Sequence, residues 1–456
     1  MKIRLEYVWL DGYTPEPNLR SKVKIVDYND VKVSFLTGKF PMWNFDGSST
    51  KQAETGSSDC LLKPVRHYVS DMLSTVYVLC EVLNPDGTPH NTNTRSKLGD
   101  QEQEDLWFGF EQEYFIQSGI NEGILGHDRK ILEPQGKYYC GVGSNVVGRE
   151  FVEKHTNMCL NHGINITGTN AEVALGQWEY QVFSMGKLRA GDDLWMSRYF
   201  LHKLSEEYGY QINLHPKPLQ YGEWNGSGLH TNFSNDRMRN EGEEDYFKSL
   251  FSSLNARHLE HIKNYGSSNE LRLTGDYETQ SIDKFSWGIS DRGASIRVPK
   301  STAEEWKGYV EDRRPGSNAD PYKIIYQIEL SIKNAETIGD IKHRMNYKLD
   351  MDNLKMNYKT LTNDELLEEY LNDEDYTIDS ETMVDNKNNI ATEEINFNSE
   401  FGKEGSTKIP KEVLERIGER IEDIINKNKI VEDRIYKKEQ YEDKLNQMIK
   451  NPNNDK

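Results

Sequence analysis

Phe108-Gly109-Phe110-Glu111-Gln112-Glu113-Tyr114 is too apolar for a solvated charged loop, yet it carries two carboxylates two residues apart. Residues i and i+2 of a β-strand share a face. The stretch is therefore expected as a strand, with Glu111 and Glu113 on one face and Phe110, Gln112 and Tyr114 on the other. Two bare carboxylates side by side repel, so a positive partner is expected between them, and a divalent cation suits that task. The competing reading is an exposed strand face with incidental acids, because purely structural charge pairs are common.

A second stretch strengthens the first. Thr169-Asn170-Ala171-Glu172-Val173 precedes Gln177-Trp178-Glu179-Tyr180-Gln181-Val182, where Trp178, Tyr180 and Val182 alternate with Glu179 and Gln181. That period of two predicts a strand with one apolar and one acidic face. The short Ala174-Leu175-Gly176 link permits a hairpin with Glu172 and Glu179 on a common surface. Farther on stand His230, in Gly228-Leu229-His230-Thr231-Asn232-Phe233, and Glu311, in Tyr309-Val310-Glu311-Asp312-Arg313-Arg314. A lone histidine is more often a structural hydrogen-bonding group, but four carboxylates expected on strands favour the ligand reading. Oxygen-rich ligation with one imidazole suits Mg²⁺ or Mn²⁺ better than a structural zinc, which favours thiolates.

The chain has 456 residues, enough for roughly two or three domains and a sizeable core. A formal net charge of −19 argues against nucleic acid and anionic membrane surfaces as partners. Cys60, Cys80, Cys140 and Cys159 form no CxxC pair and read as reduced thiols of a cytosolic protein. The start, Met1 to Glu6, does not read as a signal peptide, and no apolar run is long enough to span a bilayer, so a cytoplasmic location is expected.

Short alternating strands are expected at Arg4–Leu10, Lys22–Val26, Val31–Leu36 and Val76–Val82. Between them the Asp46–Asp59 stretch is rich in Gly, Ser and Thr and reads as a functional loop. Asn84-Pro85-Asp86-Gly87 is a turn signal and a candidate domain boundary. Asp193–Tyr208 and Ser249–Lys263 carry apolar residues at helical spacing and read as core helices. Gly141-Val142-Gly143 is not a dinucleotide site, since it does not complete GxGxxG and lacks a strand–turn–helix context.

After about Asn346 the composition shifts. Residues 347–405 are rich in Asp, Glu and Asn, with few bulky apolar residues except around Leu366–Leu371, and are expected to be mostly disordered. Within 411–450, Leu414, Ile417, Ile421, Ile424, Ile425, Val431 and Ile435 keep near-helical spacing amid mixed charges. That pattern suits an amphipathic helix or short coiled coil, or equally a helix folded back on its own domain. Roughly half of the net negative charge lies in this extension.

Eight motifs in order resemble the glutamine synthetase family of the eukaryotic (type II) kind. They are Trp43–Thr50, Glu111–Tyr114, Tyr138–Gly143, Gly168–Val173, Asn225–Ser234, Arg272–Gly275, Ala294–Pro299 and Glu311–Pro315. The resemblance covers roughly residues 3–346 and does not reach the C-terminal extension. It implies an α+β chain: a small β-grasp domain at 1–84, a catalytic domain at 85–346 on a curved antiparallel sheet with helices, and an acidic extension at 347–456. It also implies ATP-dependent joining of ammonia to L-glutamate through γ-glutamyl phosphate.

Residue by residue, Glu113, Glu172 and Glu179 resemble the ligands of one metal, and Glu111, His230 and Glu311 those of a second. Arg292, Arg297 and Arg313 resemble the phosphate and substrate arginines, for which the bland alternative is a surface ion pair. Arg272 resembles the fork that grips the α-carboxylate of glutamate, with Glu223, Trp224 and Gly226 at the same pocket. Glu179, Tyr180, Gln181, Val182, Phe183 and Ser184 resemble ATP-contacting residues, as do Asn232, Phe233, Ser234, Tyr309, Val310 and Glu311. Asp46 resembles the residue that binds and deprotonates ammonium, and Glu278 the glutamate that closes over the site; an ordinary Asp-Gly turn is the alternative for Asp46.

In the family Asp46 comes from a neighbouring subunit, so a homo-oligomer of pentameric rings, a decamer, is implied. Three positions depart from the family pattern: Tyr277 stands for the usual His, Glu223 for Asn and Leu271 for Arg. The last two changes add a negative charge and remove a positive one. They favour one alternative, a γ-glutamyl ligase for another amine; a second alternative is a non-catalytic relative used as a scaffold through its acidic extension.

Overall fold

The computed structural model describes residues 1–336 apart from 71–73, 128–134 and 221. The expectations for the extension at 347–456, including the helix near 411–450, lie outside the described residues.

Alternation decides most of the first sheet. β1 (Lys2–Leu10) and β2 (Leu19–Asp27) form an antiparallel pair, while β1 buries Ile3, Leu5 and Tyr7 on one face. Helix α1 (Tyr28–Thr37) comes next, then β3 (Trp43–Asp46), β4 (Asp59–Val69) and β5 (Thr75–Leu83). The strand order is β2-β1-β5-β4-β3, with β1 parallel to β5.

Here one expectation fails. Val31–Leu36 is helical, not a strand. Tyr28, Val31 and Phe35 repeat at three and four residues and pack on the sheet, while Val33 and Leu36 face solvent at 59% and 88% exposure. The helical period buries more than the apparent period of two would. Gly38 closes the helix at φ 68°, donating its N–H to Ser34 O at 2.8 Å.

The larger sheet begins with β6 (Trp107–Gln117). Helix α2 (Arg149–Asn161) leads to the hairpin of β7 (Ile166–Ala171) and β8 (Gln177–Met185), then to α3 (Lys187–Tyr208). The short β9 (Gln211–Asn213) pairs with β6, and β10 (Leu229–Ser234) lies on its other side. Helices α4 (Asp236–Asn240), α5 (Glu244–Ala256) and α6 (His258–Asn264) precede β11 (Trp287–Ile289) and β12 (Ile296–Val298). Helix α7 (Lys300–Glu305), β13 (Val310–Asp312) and helical residues 321–336 complete the described chain.

The order is β11-β12-β13-β10-β6-β8-β7. All pairs are antiparallel except β11 with β12, so the sheet expected as antiparallel has one parallel edge pair. The single helix expected at Ser249–Lys263 breaks at Arg257 into α5 and α6.

The buried face of β6 carries Phe108, Phe110, Gln112 and Tyr114, packed over α3. Gln112 is the polar member. Its Oε1 accepts from Arg198 Nε at 2.7 Å, and its Nε2 donates to Glu113 O and Ser317 O. Arg198 is buried and also donates to the carbonyls of Ser317 and Ala319. Every donor of a buried guanidinium needs such a partner, so this network fixes β6 against α3 and the segment after β13. The carboxylate of Glu102 caps α3, accepting the N–H groups of Leu188 (2.8 Å) and Arg189 (2.9 Å).

Candidate active site

Four neighbouring strands aim their polar residues at one cavity. In register, Glu113 on β6 faces Glu179 on β8, and Glu111 faces His230 on β10. Asn232, two residues on from His230, pairs with Glu311 on β13. The period of two therefore places Glu111, Glu113, Glu179, His230 and Glu311 on one face of the sheet. Glu172 is not on a strand; it lies in the turn between β7 and β8. Its Oε1 accepts from Asn170 Nδ2 (2.9 Å) and its Oε2 from Val173 N (3.2 Å). Gly176 makes that turn possible: its φ is 83°, and a Cβ there would lie 2.7 Å from Leu125 O.

Two groups result, Glu113 with Glu172 and Glu179, and Glu111 with His230 and Glu311; within each, ligand atoms lie within 4.8 Å of one another. Both open on a cavity of about 480 Å³, lined also by Arg272, Arg292, Arg297 and Arg313. Glu113 Oε2 accepts from Gly228 N (2.8 Å), and Glu111 Oε1 from Asn232 Nδ2 (2.8 Å). Arg297 and Arg313 donate to opposite oxygens of Glu311, at 2.8 and 2.6 Å. Arg272 is buried and donates to Arg313 O and to His230 Nε2, both at 2.9 Å. A guanidinium has no acceptor, so Nε2 accepts and the Nδ1 side of His230 faces Glu111, Glu113 and Glu311 at 3.6–3.8 Å.

Burial pushes the carboxyl groups of Glu113, Glu172 and Glu179 each up to about 8, and their mutual repulsion adds to it. Burial, then the Arg313 charge, pushes His230 well below its ordinary value, so its imidazole is neutral. Carboxylates that resist ionising together, a neutral imidazole and no thiolate form a donor set that fits hard divalent cations. Gln177 Oε1, buried beside Glu113, has no hydrogen-bond partner among the described residues, which agrees with a polar ligand or its water shell there.

The structure does not gather every expected residue. Gln181 lines the cavity and bonds Glu179 at 2.8 Å. Phe183 lies farther along the same strand face, stacked edge-on with Trp107. Tyr180, Val182, Phe233 and Val310 point into the core, and the Ser184 hydroxyl is spent on Asp193. Ser234 receives Arg239, and Tyr309 is exposed at 43% outside the cavity lining. Gly226 lines the cavity, whereas Glu223, Trp224 and Leu271 do not; Glu223 and Leu271 face solvent.

Glu278 sits at the rim, its carboxylate 3.9 Å from Arg292 and its carbonyl 3.4 Å from Arg313 Nη2. Asp46 is absent from the cavity lining and lies exposed at the end of β3 in the other sheet. The hydroxyls of Ser48 and Ser49, each 2.6 Å from its carboxylate, hold its pKa below the ordinary range. Sequence reasoning misses Asn170 and Gln177, which orient Glu172 and Glu113. The polar series Gln177-Glu179-Gln181 carries the signal for Gln177.

Comparison with known proteins agrees with this geometry. The family model described as glutamine synthetase, beta-Grasp domain, matches residues 2–85, and that for the glutamine synthetase catalytic domain matches 92–257. A glutamine synthetase of Bradyrhizobium diazoefficiens is 49% identical over 344 residues, covering 74% of this chain and 98% of that protein. The Saccharomyces cerevisiae glutamine synthetase is 45% identical over 331 residues, covering 71% and 87%. A cryoEM structure of Plasmodium falciparum glutamine synthetase shares the fold, with a TM-score of 0.58 at 16% identity, over 73% of this chain and 72% of that one. With an acidic two-cluster cavity on one sheet and a small β-grasp sheet ahead of it, the chain belongs to the glutamine synthetase family.

Proposed function

We propose that the cavity is the active site of an ATP-dependent glutamate–ammonia ligase. The two three-ligand groups that share it with four arginines carry this reading. Glu113, Glu172 and Glu179 would hold one divalent cation, and Glu111, His230 and Glu311 another, with Mg²⁺ or Mn²⁺ as the metal. When bound, such cations would supply positive charge that offsets phosphate charge and polarises an acceptor carboxylate.

The side chains do the rest. Arg272, fixed by the carbonyls of Arg313 and Arg314, lines the cavity and is the candidate to meet the α-carboxylate of glutamate through the donors that those contacts leave free. Arg297 and Arg313 line the same cavity and are the candidates to stabilise the γ-phosphoryl group of ATP as it passes to the γ-carboxylate. Ammonia then attacks that carbonyl carbon, phosphate leaves, and the surplus proton goes to a carboxylate. Glu278 at the rim is the candidate within this chain. Glu223 and Leu271 stand outside the cavity lining, so their charge changes do not reach the cavity directly. We infer a cytoplasmic location; no described helix is long and apolar enough to cross a membrane. The division into residues 1–84, 85–346 and an extension at 347–456 accompanies this reading.

The test is phosphate release from ATP with Mg²⁺ and glutamate. Release that requires ammonium supports the ligase, and release that ignores ammonium sinks it.

Asp46 lies outside its own chain's cavity, and this supports assembly into rings in which a neighbouring copy supplies it. Pentameric rings paired into a decamer are what the family resemblance implies. Asp46→Asn and Glu113→Ala chains, each inactive alone, should regain activity once unfolded and co-refolded as an equal mixture. Roughly a quarter of the sites would then combine both intact residues. No recovery above either parent rules out a shared site.

A further inference from the structure

The turn that carries Glu278 has an unfavourable backbone. Gly275, Tyr277 and Glu278 all have left-handed φ values, of 93°, 54° and 61°, and two of them are not glycine. Such a turn persists only where its surroundings hold it. Arg313 holds the carbonyl of Glu278, and Thr279 Oγ1 donates to Arg272 O at 3.1 Å. A further restraint comes from the loop before β10. Lys217, 8% exposed, donates to Trp224 O, and its ammonium lies 4.7 Å from the centre of the Tyr277 ring. No carboxylate among the described residues forms an ion pair with Lys217. Its charge is therefore answered by one carbonyl and an aromatic face. Tyr277 lines the cavity beside Glu278.

We propose that Lys217 and Tyr277 are positioning residues that clamp the Glu278 turn over the cavity mouth, and that this clamp sets the preference for ammonia over larger primary amines. The proposal rests on the reading of the cavity as the ligase site. With the clamp closed, the space beside Glu278 is bounded by the phenol ring, the Arg292 side chain and the sheet. A methyl group on the entering nitrogen would have to pass these side chains, which line the cavity together. Released from Lys217, the turn loses the restraint on Tyr277, and the mouth widens.

The experiment compares kcat/KM for ammonium and for methylamine in wild type, Tyr277→Phe, Tyr277→Leu, Lys217→Ala and the Leu/Ala double variant. Tyr277 is 37% exposed, so Tyr277→Leu leaves folding intact even if Lys217→Ala does not. Tyr277→Phe keeps the aromatic face and should keep the wild-type ratio. Tyr277→Leu and Lys217→Ala should each lower the ammonium-to-methylamine ratio roughly tenfold, the factor that corresponds to a cation–π contact of about 1.4 kcal/mol. The double variant should be no worse than either single one. An unchanged ratio in Tyr277→Leu, or a Phe variant as damaged as the Leu variant, overturns the clamp. A wild type inactive with both amines overturns the ligase reading instead.

Discussion

Glu113→Ala is expected to lower ammonium-dependent phosphate release by roughly a thousandfold or more, the scale of losing one electrostatic anchor for a transferring phosphoryl group. Glu113 is buried and is held by Gly228 N and Gln177 Nε2. Its neighbours on β6, Gln112 and Tyr114, point the other way, and Glu111 belongs to the second group. Its removal should also abolish the rise in melting temperature on adding Mg²⁺ or Mn²⁺, which separates a lost ligand from lost folding. Glu113→Gln keeps the volume and the hydrogen bonds but not the charge, so it should be as inactive while melting near the chelated wild type. Activity within tenfold of wild type in the Gln variant contradicts the role of Glu113 as a cation ligand.

The second large effect is on stability against pH with the metal removed. Glu113, Glu172 and Glu179 are raised to about 8 in the folded chain, whereas an unfolded glutamate titrates near 4.5. Between these values the folded chain binds more protons than the unfolded one, so unfolding free energy falls as pH rises. Below the ordinary histidine range the buried, depressed His155, His230 and His261 act in the opposite sense: their contribution to stability grows as pH rises. The clean window is therefore about pH 6.5 to 8.

In chelator, the melting temperature should drop across that window, driven by on the order of one kcal/mol per pH unit for each extra proton bound. Saturating Mg²⁺ or Mn²⁺ should abolish the drop, and near neutral pH should release protons that an indicator dye detects. A flat profile in chelator, or metal binding without proton release, contradicts the shared protonation of the cluster.

These expectations draw on features of very different legibility. The face of β6 can be read from seven residues, because strand alternation is a local property that tertiary packing preserves. The same alternation separates Glu179 and Gln181 from Tyr180 and Val182. Motif resemblance names whole stretches, and so it includes side chains that the sheet turns inward. Val31–Leu36 misleads because apolar residues near every second position imitate a strand, and only the sheet beneath α1 reveals which period is buried. Glu172 joins the expected cluster from a different kind of element, since the turn is set by Gly176 packing against Leu125. Lys217 leaves no local signal. Its partners, Trp224 O and the Tyr277 ring, meet it only through the fold.

The register of β6 has a consequence for how any preparation of this protein behaves. A slip of one residue against β8 or β10 would drive Glu111 and Glu113 into the aromatic core and turn Phe110 and Tyr114 out into the cavity. The Arg198–Gln112 contact would break in the same movement, leaving a buried cation without a partner. There is accordingly no half-competent form of the sheet, in which folding has gone slightly wrong and chemistry survives at reduced rate. The strand that assembles the catalyst also inspects it, and specific activity in a purified sample counts correctly threaded molecules.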